Sequence, residues 1–354
     1  MILEGVILSC IHGLQGERSI SATYHVISGR KSIQTVQDIH MYDLKQFYSI
    51  YPKLSKSYFH KVSNALKKDQ LIQAANSNEE SYLITPDGMK WLDDYKTEFP
   101  LSYFFGLQYG YSSIVFWERL KLLIQTVTNV HMNQFQFIPV VENQAIEKWV
   151  KKAYQRIKMD TSAFLIQLHT ELQRLLQTFP ALMAEIFVDR LTSYDNYGKS
   201  IHQLANSYFL TMIDVELTIT ACLHRMIDII NQNKHAYPVL NGIIPEAETP
   251  HVTASALTTY YLLRDGLTVE AIADYRKLRM NTIYDHLVEI ALYDSQFPID
   301  AYVPRSDQKI IIRAFNEVNT YKLKLIKEKV PEHISYFHIR LVLTMLTNTQ
   351  KVGG

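Results

Sequence analysis

The chain has 354 residues, of which 47% are hydrophobic and 20% charged, enough apolar material to build two or three cored domains and too much for long disordered tracts. Glycine (12) and proline (11) are both scarce, which argues against an all-β protein with its many tight turns and favours helices. A formal net charge of +1 excludes a global field that would draw the protein onto DNA or an acidic membrane, so any polyanion has to be met by local patches.

Cys10 and Cys222 lie far apart and neither belongs to a CxxC, so both are expected to be small buried hydrophobes in a reducing, cytoplasmic compartment. Met1 to Leu14 is apolar but contains Glu4 and His12 and lacks a basic start. It is too short and wrongly flanked for a signal peptide or a membrane span, and a buried first helix is expected.

Residues 1–98 read as a winged-helix domain with a small β wing. Helices are expected over Ser19 to Ile27 and Ser32 to Tyr42, and Ser55 caps a third, where Phe59, Val62 and Leu66 fall at i, i+3 and i+7. The opposite face shows Lys56, Ser57, His60, Lys61, Asn64, Lys67 and Lys68. From Lys53 to Lys68 there are five lysines and no acid. Leu71 to Ala75, a polar turn over 76–80, and Ser81 to Ile84 form a two-strand wing, and Thr85-Pro86 restarts a helix. That wing pattern resembles those of many bacterial winged-helix proteins. Its lysine face, free of acids, favours a phosphate backbone over the alternative of a docking module with solvated lysines.

Residues 99–240 form a helical region with stripes such as Trp117, Leu120, Leu123 and Ile124, or Phe164, Leu168, Leu172 and Leu175. Ser200 to Leu223 has a faint helix-turn-helix look but lacks a turn glycine and a basic face, so core packing is expected there. Asn241 to Pro250, with Gly242, Pro245 and Pro250 close together, is the best linker candidate.

Residues 251–350 form the third region, followed by a tail, Lys351 to Gly354. Gly266 ends one helix, Thr268 caps the next, with Val269, Ile272 and Ala273 inward and Ala271 at the helix crossing. Arg276-Lys-Leu-Arg279 turns the chain, and Ile283 and Leu287 anchor a second helix reaching Leu292. This helix-turn-helix offers Arg276, Lys277 and Arg279 to phosphates, and Asn281, Thr282 and His286 to base edges, while Asp274, Asp285 and Glu289 dilute its positive charge. Helix-turn-helices also bind proteins, so both partners stay open. Lys309, Arg313 and the lysines at 322, 324, 327 and 329 add a basic face for phosphate or for solvent. Ser335 caps a last helix, Tyr336 to Leu346.

Gly266-Leu-Thr-Val-Glu-Ala-Ile-Ala273, Asn281-Thr-Ile-Tyr-Asp-His-Leu287 and Ile334-Ser-Tyr-Phe-His-Ile-Arg340 carry a resemblance. They resemble the helix-turn-helix domain at the C-terminus of some RecQ-type helicases, which the bacterial YpbB-like proteins carry as a separate chain. The resemblance covers about the last 100 residues, and the length and three-region layout are also YpbB-like. It implies a helicase-associated role and brings no ATPase residues.

No phosphate loop, HExxH, GxSxG or CxxC occurs, so no catalytic, metal or cofactor site is expected. The expectation is a mainly α, non-enzymatic DNA-binding accessory protein that acts with a RecQ-type DNA helicase in replication, recombination or repair. Duplex or junction DNA is the expected substrate, with a homo-oligomer left open. A transcriptional regulator reading paired half-sites and a pure protein-interaction module are the alternatives.

Overall fold

Many helices in this chain start where a short polar side chain accepts a free backbone N–H of the first turn. Ser32, Ser55, Asn143, Asp160, Ser200, Thr211, Thr253 and Thr268 all do so. The computed structural model describes residues 1–75, 80–246, 252–294 and 296–349, with residues 347–349 described by their backbone alone.

In chain order the elements are α1 (Ile2–Leu14), α2 (Ile20–Ser28), α3 (Ile33–Met41), α4 (Lys56–Lys68), β1 (Ile72–Ala74), β2 (Tyr82–Ile84), α5 (Pro86–Glu98), α6 (Gly106–His131) and α7 (Gln144–Ile157). They continue with α8 (Thr161–Leu176), α9 (Ala181–Asp189), α10 (Ile201–Tyr208), α11 (Met212–Gln232), α12 (Pro238–Ile243) and α13 (Ala254–Arg264). The C-terminal set is α14 (Val269–Arg276), α15 (Met280–Tyr293), α16 (Arg305–Val318), α17 (Leu323–Lys327) and α18 (Tyr336–Thr349). The protein is thus mainly helical. The strands pair antiparallel with Gln73 opposite Leu83. Four residues of the expected wing turn (76–79), the end of the expected linker (247–250) and the expected tail (351–354) lie outside the described residues.

The chain divides into two compact units. The first comprises Met1–Ser9, Gln46–Leu71 and Pro86–Glu248, and the second Cys10–Lys45, Ile72–Thr85 and Thr249–Gly354. The elements expected in one winged-helix domain are therefore shared out, with α4 and α5 in the first unit and α2, α3 and the hairpin in the second.

In the first unit α11 is the central rod, packed by α6, α9 and α10. Val215, Leu217, Ala221, Cys222, Met226, Ile227 and Ile230 are buried along it, too many to fit one face, as in a helix enclosed on all sides. His224 is also fully buried. Its Nδ1 accepts the Phe105 N–H at 3.1 Å, and burial pulls its pKa down to about 3. At the start of α6 the backbone of Gly106 passes so close to the Tyr48 carbonyl that an added Cβ would lie 2.1 Å from it.

In the second unit α15 occupies the same central position, between α13 and α18, with α3 against both α15 and α18. Leu287, Val288, Ile290 and Ala291 share one cluster with Ile311, Ile326, Ile339, Leu341 and Val342, and Met41 of α3 completes it. Arg340 on α18 ties these elements by polar contacts, donating to Gln37 Oε1 at 2.9 Å and to Asp285 at 2.6 Å. No helix of the described residues is long and apolar enough to cross a membrane.

Candidate nucleic-acid interface

The helix-turn-helix is α14 and α15. Gly266, at φ +88°, turns the chain out of α13, and Thr268 then accepts the Ala271 N–H at 3.2 Å to begin α14. The turn contains no glycine. Lys277 adopts the left-handed conformation instead (φ 53°, ψ 42°), and the Leu278 N–H closes on the Ala273 carbonyl at 2.9 Å. Leu278 and Met280 pack on a small core of Ile272, Ala273 and Ile283. Ala273 is thus the small residue where the helices cross, and Ala271, expected there, is two residues earlier and exposed on the opposite side of α14.

The turn presents Lys277, Arg279 and Asn281 to solvent, with Thr282 half-buried beside them and Tyr275 73% exposed at the end of α14. These side chains form a contiguous polar edge where the second helix begins, which is where a helix-turn-helix meets a major groove.

Two expected contacts turn inward. Arg276 donates to the Ser255 carbonyl at 2.7 Å and Oγ at 3.0 Å, and to Thr259 Oγ1 at 2.5 Å, bracing α14 against α13. His286 is only 7% exposed, with Nδ1 2.9 Å from Thr259 Oγ1. Burial first, then the neighbouring Arg276 charge, lowers its pKa, so the ring stays neutral inside the unit rather than facing a groove. The acids are also partly withdrawn. Asp285 pairs with Arg340, and buried Glu289 accepts the Thr253 N–H and hydroxyl at the start of α13. The dilution of positive charge foreseen from Asp285 and Glu289 is smaller than their presence suggests, and Asp274 and Glu270 remain exposed.

On α16, Lys309 and Arg313 are exposed one turn apart. Lys327 instead donates to the carbonyls of Pro331, Glu332 and Ile334, holding the link to α18, and Lys329 pairs with Glu317.

In the first unit α4 buries Phe59, Val62, Ser63 and Leu66, and turns Lys56, Ser57, Lys61, Asn64 and Lys68 to solvent, with His60 and Lys67 half-buried at the margins. Lys53 stands apart. Its Nζ lies 2.5 Å from Glu216, which also accepts the Tyr51 hydroxyl, so it is an anchor to α11 rather than a free phosphate ligand.

The segment expected only to pack repeats the helix-turn-helix geometry. Eight-residue α10 ends at left-handed Phe209 (φ 55°, ψ 38°), and Leu210 and cap Thr211 lead into Met212 of α11. Leu204, Ala205 and Val215 are buried where Ile272, Ala273 and Ile283 are buried in the other unit. The signal in the sequence was this common spacing, Ser200 to Met212 against Thr268 to Met280, and the missing glycine concealed it. The core expectation also holds, since most of α11 from Asp214 to Ile230 is buried. This turn carries Phe209, 96% exposed, and Met212, 54% exposed. No Lys or Arg lies between Ser200 and Glu216.

These features define a helix-turn-helix protein, and residues 255–343 match the family model of a helix-turn-helix domain. Protein YpbB of Bacillus subtilis (strain 168) is 30% identical over 345 residues, covering 96% of either chain, and the chain belongs to the YpbB family. No solved structure matches it.

Proposed function

We propose that the protein is a non-enzymatic DNA-binding accessory factor that acts with a RecQ-type DNA helicase in replication, recombination or repair. The observation that carries the DNA contact is the polar edge of Lys277, Arg279 and Asn281 at the start of α15, supported by a buried scaffold that leaves these side chains free. Phosphates meet Lys277 and Arg279, and Asn281 offers its amide to a base edge. The lysine face of α4 is a second, sequence-independent grip. With few cations at either place, affinity is modest and falls with salt.

The helicase contact belongs at the α10–α11 turn, where exposed Phe209 and Met212 suit an apolar protein surface and no cation favours DNA. Gel-shift titration with duplex and forked DNA at several salt concentrations tests the first part, and absence of binding at low salt would remove it. Co-purification with a RecQ-type helicase tests the second. The complex forms with the intact chain and is lost with Phe209→Asp, whereas equal recovery with both chains would contradict this placement.

A further inference from the structure

The first unit contains a cavity of about 610 Å³ walled by α6, α7, α8 and α12, which neither helix-turn-helix uses. On its α7 wall, Trp149, Lys152, Ala153, Arg156 and Ile157 fall at i, i+3, i+4, i+7 and i+8, along one side of the helix beside buried Ile146 and Val150. This side lines the cavity, and Lys152 and Arg156 on it are exposed.

Arg119 of α6 joins them. Its guanidinium carbon lies 4.5 Å from the Trp149 ring centre, and Nη1 donates to the Ile243 carbonyl at 3.1 Å. Its Nε is buried and has no acceptor among the described residues, and burial holds the Arg119 pKa below its usual value. A buried donor left unpaired is unfavourable, so an acceptor that reaches it is favoured. Three cations line the cavity with one acid, Glu246, and Tyr111 and Phe164 add aromatic surface to an aliphatic wall that includes Val115 and Leu123.

The volume fits an organic ligand and is far larger than a simple anion needs. Aromatic faces beside grouped guanidinium and ammonium groups are what a planar base attached to a phosphate requires. We propose that this cavity binds a nucleoside phosphate. The base lies against Trp149 and Tyr111, the phosphate meets Arg119, Lys152 and Arg156, and Glu246 accepts from a ribose hydroxyl or an exocyclic amine. Either a free nucleotide or the 5′-phosphorylated end of a single strand supplies this chemistry.

Calorimetric titration of the full chain tests the proposal, using adenosine monophosphate, inorganic phosphate, and tetrathymidylate with and without a 5′-phosphate. Two variants address the cavity. Gly242→Trp fills it without removing a charge, because a Cβ at this position meets no atom within 4 Å. Arg156→Glu reverses an exposed cation, so the fold is retained, and circular dichroism checks both variants.

The expected result is saturable one-site binding of the mononucleotide, the phosphorylated tetranucleotide, or both, and which of them binds identifies the source. Arg156→Glu weakens it by about tenfold or more. Gly242→Trp abolishes it, and duplex affinity at α14–α15 stays unchanged in both variants. The proposal is overturned if neither nucleotide ligand saturates at millimolar concentration, if inorganic phosphate binds as tightly as the nucleotide, or if both folded variants bind like the parent.

Discussion

Arg276 and Lys277 are adjacent cations at one helix end with opposite uses. Arg276 spends its guanidinium on Ser255 and Thr259, so Arg276→Ala should destabilise the second unit by about 1.5–3 kcal/mol in urea titrations, the usual range for hydrogen bonds to a charged group. Arg276→Lys should not restore it, because only the forked guanidinium reaches both partners. Duplex affinity of the folded Arg276→Ala variant should stay near that of the parent, and a loss of affinity without a loss of stability would return Arg276 to the interface. Lys277 occupies a left-handed position that costs a side-chain-bearing residue about 1 kcal/mol. Lys277→Gly should therefore hold or raise the melting temperature while weakening DNA binding.

His224 makes a prediction of definite sign. Unfolded, it gains a proton as pH falls below about 6.5. The buried ring resists until about 3, so between these values the unfolded state binds more protons. The contribution of His224 is then lost with falling pH at up to about 1.4 kcal/mol per pH unit, and above pH 7 it is flat. His224→Asn, which keeps an acceptor for the Phe105 N–H, should flatten the acid side of the stability profile. An unchanged profile would contradict the burial argument.

At the scale of elements, α4 combines a buried Phe59–Val62–Leu66 stripe with an exposed lysine face. Lys56→Glu with Lys61→Glu should lower affinity on all duplex sequences alike and reduce the slope of log affinity against log salt by about 0.9 for each lost phosphate contact. Loss confined to one sequence would argue against a backbone grip.

Elements with one dry and one wet face, α4 among them, were legible in the sequence, as were the serine and threonine caps. The interior of α15 was not. Enclosed by α3, α13 and α18, it buries His286 and Glu289 beside Leu287 and Val288, so periodicity could not separate polar residues used inside from those facing solvent. The turns at Lys277 and Phe209 were obscure for a different reason. Both take left-handed backbone without glycine, held by Leu278 and Leu210 N–H groups that close back on the carbonyls of Ala273 and Ala205.

At the scale of the molecule, texture along the chain suggested boundaries near residues 98 and 240, whereas compactness follows contacts between distant segments. Met41, Ile33 and Tyr42 pack in the same cluster as the C-terminal helices, and Arg18 binds buried Asp38 at 2.8 Å while its neighbour Glu17 accepts the Tyr321 N–H. No local pattern announces such pairings across some 300 residues. Residues 255–343 expressed alone lack α3, so they should melt well below the intact chain, and equal melting would show that α3 contributes nothing to that core.

The central claim is that the turn of α14–α15 meets DNA. Fluorescence anisotropy of a labelled duplex at about 0.1 M salt, comparing the parent with Lys277→Glu plus Arg279→Glu, tests it most directly. Both side chains are exposed, so the double variant should fold normally and lose affinity by about tenfold or more, with a shallower salt dependence. Parent-like affinity in the folded double variant would contradict the claim.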